Sequence, residues 1–471
     1  MKVDLNEIQT LADNAAKEEA PVLDFPIPSG CEDYQKFIKV KESQKGGLGF
    51  FALEQIKAGS LVLAAKPLSL IMGWEEDDDD EDEEEVDEES IMNDEEGAEN
   101  IVKGSRRNGK LVIKLLKAMK CDASIWFDKI DKLFPREVTE DLPLWLCESS
   151  EIDEAIDQCT NELKTDSNSF SDDLVDEIRQ RLPLIVKYNC LSIETGPELF
   201  VHPSQAQGGH ISLSATGLYF EPSFFNHSAR PNICRYCIGD VMFFVANQNI
   251  QKDEELFISY IEGDFLMESS EIRSRLLDMD FEDETSVNEE TVDHKKKRLD
   301  SKKEFPIIDI DTQDDLMSLD PLERLHEIND LLKEVSKGSL IHEDETGEKK
   351  EVSFFKCDEH QLRILLALTY DSLGSPTKAV EEWKTCVQFV DTNYPPHDEN
   401  GISLKVQAAL CSFFLDDLVA AKSFAKKALE SHDLLFGGGV QFFLKRYSNE
   451  FKLHLRPQSS ANAVSFLWPR E

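Results

Sequence analysis

Strand-like alternation opens the readable part of the chain. Residues 36–72 run through KFIKVKES, then Gln44-Lys45-Gly46-Gly47-Leu48-Gly49-Phe50-Phe51-Ala52, a turn at Lys57-Ala58-Gly59-Ser60, and the apolar run LVLAAKPLSLIM. Period-two alternation between glycine turns predicts short strands, and the last run is apolar enough for a buried one. Residues 105–190 change period. Leu111, Leu115, Leu116 and Met119, then Trp126, Ile130 and Leu133, recur at helical spacing, which predicts amphipathic helices punctuated by Pro135, Pro143 and Pro183. Alternation returns over 199–260, and 268–279 reads as a helix with Ile272, Leu276 and Met279 on one side. Residues 282–320 are polar and charged, a linker. From Pro321 onward the pattern predicts helices alone.

That tail repeats itself. Residues 367–383 (ALTYDSLGSPTKAVEEW) resemble 409–425 (ALCSFFLDDLVAAKSFA) at an offset of about 42. Each is a helix, a turn and a second helix opening on Ala379 or Ala421. Small residues let helices approach closely, as in tetratricopeptide-like hairpins; a plain helical bundle is the other reading. A longer connection through Tyr394-Pro395-Pro396-His397-Asp398 separates the two units. The fold class is therefore α+β: short strands interrupted by a helical insert, followed by an all-α domain. The expected boundaries are a lead-in over 1–30, strands over 31–75, an acidic loop over 76–104 and the insert over 105–198. Strands then occupy 199–265, a helix 266–285, a linker 286–320, the helical domain 321–455 and a tail 456–471.

Charge narrows the partners. The 471 residues carry 94 acidic against 51 basic side chains, a net charge of −43. That opposes direct binding of nucleic acid, which needs a basic face; it suits basic partners such as histones, ribosomal proteins or lysine-rich tails, and solubility alone is the plain reading. Residues 75–89 (EEDDDDEDEEEVDEE) repel one another and predict disorder, either an inert acidic loop or a device that captures basic proteins. The cluster Lys295-Lys296-Lys297-Arg298 is either a nuclear import signal or a chance run of basic residues in a linker. A polar N-terminus without a secretory pattern, no membrane-spanning run and ten scattered cysteines fit a monomer in a reducing cytoplasmic or nuclear compartment.

Candidate chemistry concentrates in 217–260. Asn226-His227-Ser228 follows an apolar turn and precedes Arg230-Pro231-Asn232, and a short strand Glu255-Leu256-Phe257-Ile258-Ser259 ends in Tyr260. Taken singly these are weak. Gly47-Leu48-Gly49 is a turn or a close approach to a ligand, and a buried Asn-His pair usually satisfies backbone groups. Cys234 and Cys237 on a strand face opposite sides, so that CxxC is a poor zinc site.

In combination and in this order, Gly47-x-Gly49, Asn226-His227-Ser228-x-x-Pro231-Asn232 and Glu255–Tyr260 resemble the SET domain of protein lysine methyltransferases. With the insert and helical tail, the chain looks like the SET and MYND-domain (SMYD) family. The resemblance implies S-adenosylmethionine as cofactor, bound by Gly47, Leu48, Gly49, Asn226 and His227, with Phe281 stacked on its adenine. It implies Tyr260 as the catalytic tyrosine and Tyr219 in a substrate lysine channel, although a core tyrosine is the plain reading of Tyr219. The departures are definite. The MYND cysteines are missing, Ala229 stands where the family usually has Cys, and Glu282-Asp283-Glu284-Thr285 replaces the post-SET cysteines. No structural zinc is therefore expected. Two other readings remain open at this point: a SET-fold adaptor without turnover, and an enzyme resembling the Rubisco-type and ribosomal-protein lysine methyltransferases.

Overall fold

The computed structural model describes residues 33–72, 95–138, 143, 150–166, 170–195, 213–238, 240–261, 263–268, 273, 277, 308, 310–337, 339–343, 349–447 and 457–469. Phe281, the acidic run and the basic cluster lie outside them, as does most of the helix expected over 268–279. In the first half the strands β1 (Asp33–Gln35), β2 (Ile38–Glu42), β3 (Leu48–Ala52), β4 (Leu61–Ala65) and β5 (Ser69–Met72) come first. Helices α1 (Glu95–Cys121), α2 (Ser150–Asp166) and α3 (Asp172–Asn189) follow. Then come β6 (Cys190–Thr195), β7 (Leu213–Leu218), β8 (Asn226–His227), β9 (Ile233–Ile238), β10 (Val241–Ala246) and β11 (Glu255–Ile258).

These strands form three small sheets, ordered β1-β4-β10-β9, β2-β3-β11-β8 and β5-β7-β6. The sequence Val-Met-Phe-Phe-Val-Ala of β10 explains the first sheet's place. Every residue is buried: Val241 and Phe243 face one hydrophobic core, while Met242, Phe244 and Ala246 face another. A strand covered on both faces reads as a continuous apolar run. The covering on the Phe243 side is helical.

The insert packs as read, around a core that includes Leu111, Leu115, Leu116, Met119, Trp126 and Ile130. Two expectations there need correction. Pro183 does not end a helix but lies inside α3, where burial of Leu182, Leu184, Ile185 and Val186 outweighs the lost hydrogen bond. Strands resume at Cys190, ahead of the expected 199, because β6 pairs with β7 along its full length from Cys190↔Leu218 to Thr195↔Leu213.

The second half holds α4 (Ile310–Ser318), α5 (Pro321–Val335), β12 (Ser339–Glu343), β13 (Lys349–Ser353), α6 (Lys356–Ser372), α7 (Pro376–Asn393), α8 (Glu399–Phe414), α9 (Leu418–Leu435), α10 (Gly439–Arg446) and α11 (Pro457–Leu467). The β12–β13 hairpin corrects the expectation of helices alone: two short segments that pair with each other need no apolar periodicity along either one. The repeated units are two helical hairpins, α6–α7 and α8–α9. Asp398 and Asp417 cap the second pair by accepting from Asn400 N at 2.9 Å and Ala420 N at 3.1 Å. Ala367, Ala379, Ala409 and Ala421 are all fully buried. Among the described residues no helix is long and apolar enough to cross a membrane.

Candidate active site

Strand pairing brings together motifs that lie about 180 residues apart in sequence. The β2–β3 turn is tight: Ser43 N donates to Gly47 O and Gly46 N to Ser43 O, with Gly46 at φ +96° and Gly47 at φ +66°. These values favour glycine. Beyond the turn, β3 pairs with β11 (Leu256↔Phe50, Glu255↔Phe51). On its other edge β11 takes β8 in parallel (Phe257↔Asn226, Ile258↔His227). The glycine turn, the Asn-His pair and the Tyr260 strand therefore lie side by side.

One carboxylate ties the three segments. Asn226 Nδ2 donates to Glu255 Oε1 at 2.7 Å and to Leu48 O at 3.2 Å, and Ser43 Oγ donates to Glu255 Oε2 at 3.0 Å. Gly49 leaves them room, since a Cβ there would stand 2.2 Å from Glu255 Oε1 and 2.8 Å from Asn226 Nδ2. Asn232 secures the crossing: its Oδ1 accepts from Phe257 N at 2.8 Å and its Nδ2 donates to Glu255 O at 2.9 Å.

His227 is buried. Its Nδ1 accepts from Tyr260 N at 3.0 Å, which places the ring proton on Nε2. Its carbonyl accepts from Lys45 Nζ at 2.6 Å, and the same ammonium lies 4.5 Å from the centre of the Phe257 ring. This spot stabilises a cation through a carbonyl dipole and an aromatic face. Tyr260 donates its hydroxyl to Phe225 O at 2.6 Å. Burial pushes the phenol well above its ordinary range, while the nearby Arg235 guanidinium acts in the opposite direction. The Phe225 ring is itself fixed between Phe50 and Phe244, at centroid distances of 4.9 and 4.7 Å.

The structure thus brings Gly47, Leu48, Gly49, Asn226, His227 and Tyr260 to one place. Tyr219 is fully buried in the strand core, with its hydroxyl donating to Asp240 O at 3.0 Å, surroundings that describe a core tyrosine. Cys234 and Cys237 do face opposite sides of β9, one toward each core, and burial pushes both thiols up to about 12. Without a metal cation beside them they are protonated at neutral pH. Among the described residues no group of three or more His, Cys, Asp or Glu could hold a metal ion. Nothing in the sequence alone assigns a role to Glu255, Lys45 or Arg235. A signal existed for Glu255, a charge opening an otherwise apolar strand, but its purpose depends on Asn226 and Ser43, which are far away in sequence.

Residues 47–261 match the family profile described as SET domain. A SET and MYND domain-containing protein of Dictyostelium discoideum is 34% identical over 100 residues, 21% of this chain and 17% of that protein. A potential protein lysine methyltransferase of Saccharomyces cerevisiae, SET6, is 50% identical over 40 residues, 8% of this chain and 11% of that protein. The chain thus matches less than a fifth of the length of either relative. A crystal structure of the SET domain of LSMT bound to lysine and AdoHcy aligns over 98% of this chain and 87% of that one, at 11% identity and a TM-score of 0.27. A superposition that loose leaves the fold to rest on the profile match and the strand pairing. With the glycine turn, the Asn-His pair and the Tyr260 strand paired edge to edge inside the matched span, residues 47–261 carry a SET-domain fold.

Proposed function

We propose that this protein is an S-adenosylmethionine-dependent methyltransferase acting on the side-chain amine of lysine in a protein substrate. The observation that carries this reading is the junction of the glycine turn, Asn226-His227 and Tyr260 on adjacent strands, with the Tyr260 hydroxyl held at Phe225 O. The SET-domain profile and the description of the yeast relative support it, and the Dictyostelium relative supports a SET-and-MYND-like grouping.

The residues present suit the cofactor's chemistry. Gly46 and Gly47 have nothing within 4 Å of where a Cβ would stand, so a ligand can approach that backbone closely. The His227 carbonyl beside the Phe257 ring already receives the Lys45 ammonium, and a ligand ammonium fits the same acceptor. Gly47, Leu48, Gly49, Asn226 and His227 would hold the amino acid end. When bound, S-adenosylmethionine supplies an electrophilic methyl group on a sulfonium centre.

The chain's own residues then do three things. Glu255 and Asn232 fix the Asn226 loop against β11, because in-line transfer depends on alignment. Tyr260 stays protonated through the neutral range, since burial raises its phenol, and it orients the amine as a neutral dipole. Tyr260 packs against an apolar core that includes Phe50, Phe225 and Phe244, and low polarity at its side disfavours a charged ammonium and so favours the nucleophilic free amine. At net charge −43, the long-range field favours basic protein substrates such as histones or ribosomal proteins.

The test uses the purified full-length chain. Calorimetric titration with S-adenosylmethionine is expected to show binding by wild type and weaker binding by Asn226→Ala. Tyr260→Phe should bind normally but transfer tritiated methyl to a lysine-rich protein pool about 10²- to 10³-fold more slowly. Absence of binding by wild type overturns the proposal. Binding without transfer favours an adaptor with a SET fold.

A further inference from the structure

Strand β9 divides its side chains between the two cores. Cys234 and Tyr236 pack toward the helices, whereas Ile233 and Cys237 pack into the strand core. Arg235 shares the inward face. It stands opposite Phe244 in the β10 register, Phe244 stacks on Phe225 at 4.7 Å, and the Phe225 carbonyl holds the Tyr260 hydroxyl at 2.6 Å. A guanidinium thus lies beside the proposed methyl-transfer point.

Among the described residues this guanidinium has no ion-pair partner. Its Nη1 is shut from solvent and has no hydrogen-bond partner among the described residues, while the residue as a whole keeps partial exposure. Two other buried arginines pair with carboxylates, Arg181 with Asp131 and Glu177 and Arg446 with Glu399, and Arg324 and Arg273, also buried, donate to a thioether or to backbone carbonyls instead. The carboxylates of Asp240, Glu255, Asp398 and Glu399 act on its neighbours Cys237, Tyr260 and Cys234, but among the described residues none forms an ion pair with Arg235 itself, and the groups beside it are neutral. Tyr219 and Tyr260 spend their protons on backbone carbonyls, and burial keeps the Cys234 and Cys237 thiols protonated at neutral pH. A buried charge without a partner is costly, and arginine does not neutralise itself by losing a proton.

Building on the methyltransferase reading, we propose that Arg235 receives a carboxylate of the protein substrate, an Asp or Glu side chain close to the target lysine. The fork of a guanidinium matches a carboxylate bidentately. The pairing also removes an obstacle, because an unpaired cation beside Tyr260 repels an approaching lysine. The methyl donor carries a carboxylate too, but the chain's topology favours the substrate as the source. Arg235 belongs to the β1-β4-β10-β9 sheet, whereas the glycine turn lies in the β2-β3-β11-β8 sheet and has its own cation, Lys45. A local acidic residue is compatible with an overall basic substrate, because the field of a highly acidic protein acts over distance and Arg235 acts at contact.

A library of peptides with a central lysine and randomised flanks, methylated with tritiated S-adenosylmethionine, tests this. Wild type is expected to favour Asp or Glu over Ala at one flanking position by about tenfold. Arg235→Met should lose that preference and Arg235→Lys should keep part of it. Transfer by wild type with no acidic preference, or the same preference in Arg235→Met, overturns the inference alone. No transfer to any peptide or to the lysine-rich protein pool overturns the methyltransferase reading and the inference with it. Two further measurements guard the assignment. S-adenosylmethionine should bind Arg235→Met as it binds wild type; a tenfold loss would give the carboxylate to the methyl donor and overturn the proposal. The melting temperature of Arg235→Met should match or exceed that of wild type, since an unpaired charge is replaced by an apolar chain of similar length. A clear fall would make Arg235 a structural residue and sink the idea.

Discussion

Glu255 is the smallest unit on which the site depends. Its two oxygens accept from Asn226 and Ser43, so one side chain on β11 sets the position of a loop and of a turn. The space it uses belongs to Gly49. Gly49→Ala is therefore expected to push the carboxylate aside and leave Asn226 and Ser43 short of an acceptor. The expected loss is about 1–3 kcal/mol in denaturant unfolding, with S-adenosylmethionine affinity in calorimetry falling about tenfold. Unchanged stability and affinity would show that the Glu255 bonds carry no weight. The glycine itself was legible from its motif. The reason for it was not, because the atoms it would strike come from residues 226 and 255.

Elements were legible where one face decides the pattern. The helices of the insert and the strands around 38–65 follow their periodicity because each buries a single stripe or alternates between two cores. Pro183 and the β12–β13 hairpin escaped the pattern because burial in one case and mutual pairing in the other outweighed local preference. In the helical half, small residues set how closely elements approach. Ala421, fully buried at the opening of α9, faces the core shared with the sheet. Ala421→Leu should cost about 1–3 kcal/mol by overpacking, while Val419→Ser, at a position 84% exposed, should change stability by less than about 0.5 kcal/mol. Thermal unfolding of the two variants, each compared with wild type, checks this. Equal losses would mean that α9 is not seated as described.

The molecule is held together by the core between the first sheet and the C-terminal helices. Ala64, Val241 and Phe243 pack there with Ile402, Ala425, Phe436, Phe443 and Trp468, and Tyr236 meets Phe436 at a centroid distance of 5.0 Å. His432 lies inside this junction, ringed by Phe436, Phe442, Phe443 and Tyr447, and neither ring nitrogen has a hydrogen-bond partner among the described residues. Burial first, and then the Arg446 charge, hold its pKa well below the ordinary value. The unfolded chain therefore binds a proton that the native state refuses once pH falls below about 6.5, so native stability declines with acid from that point. Between pH 7 and pH 5 the contribution of this one residue is about 1–2 kcal/mol. His432→Leu should flatten the stability profile across that window. An unchanged slope in denaturant titrations at both pH values would exclude His432 as a source of acid sensitivity.

Order, periodicity and spacing were enough to predict an α+β chain with a helical insert and a helical second half. They also supplied the three motifs whose sequence order resembles a SET domain, because each motif is local and its turn or strand chemistry is written in adjacent residues. Only the tertiary structure decided which distant groups meet. It closed Asn226 and Ser43 on Glu255, seated Tyr260 between His227 and Phe225, buried Tyr219, and turned Arg235 inward with its Nη1 lacking a partner among the described residues. The physical reason is that a hydrogen bond or a lone charge is defined by what lies within a few ångströms, and here strand pairing brings to that distance residues about 180 positions apart.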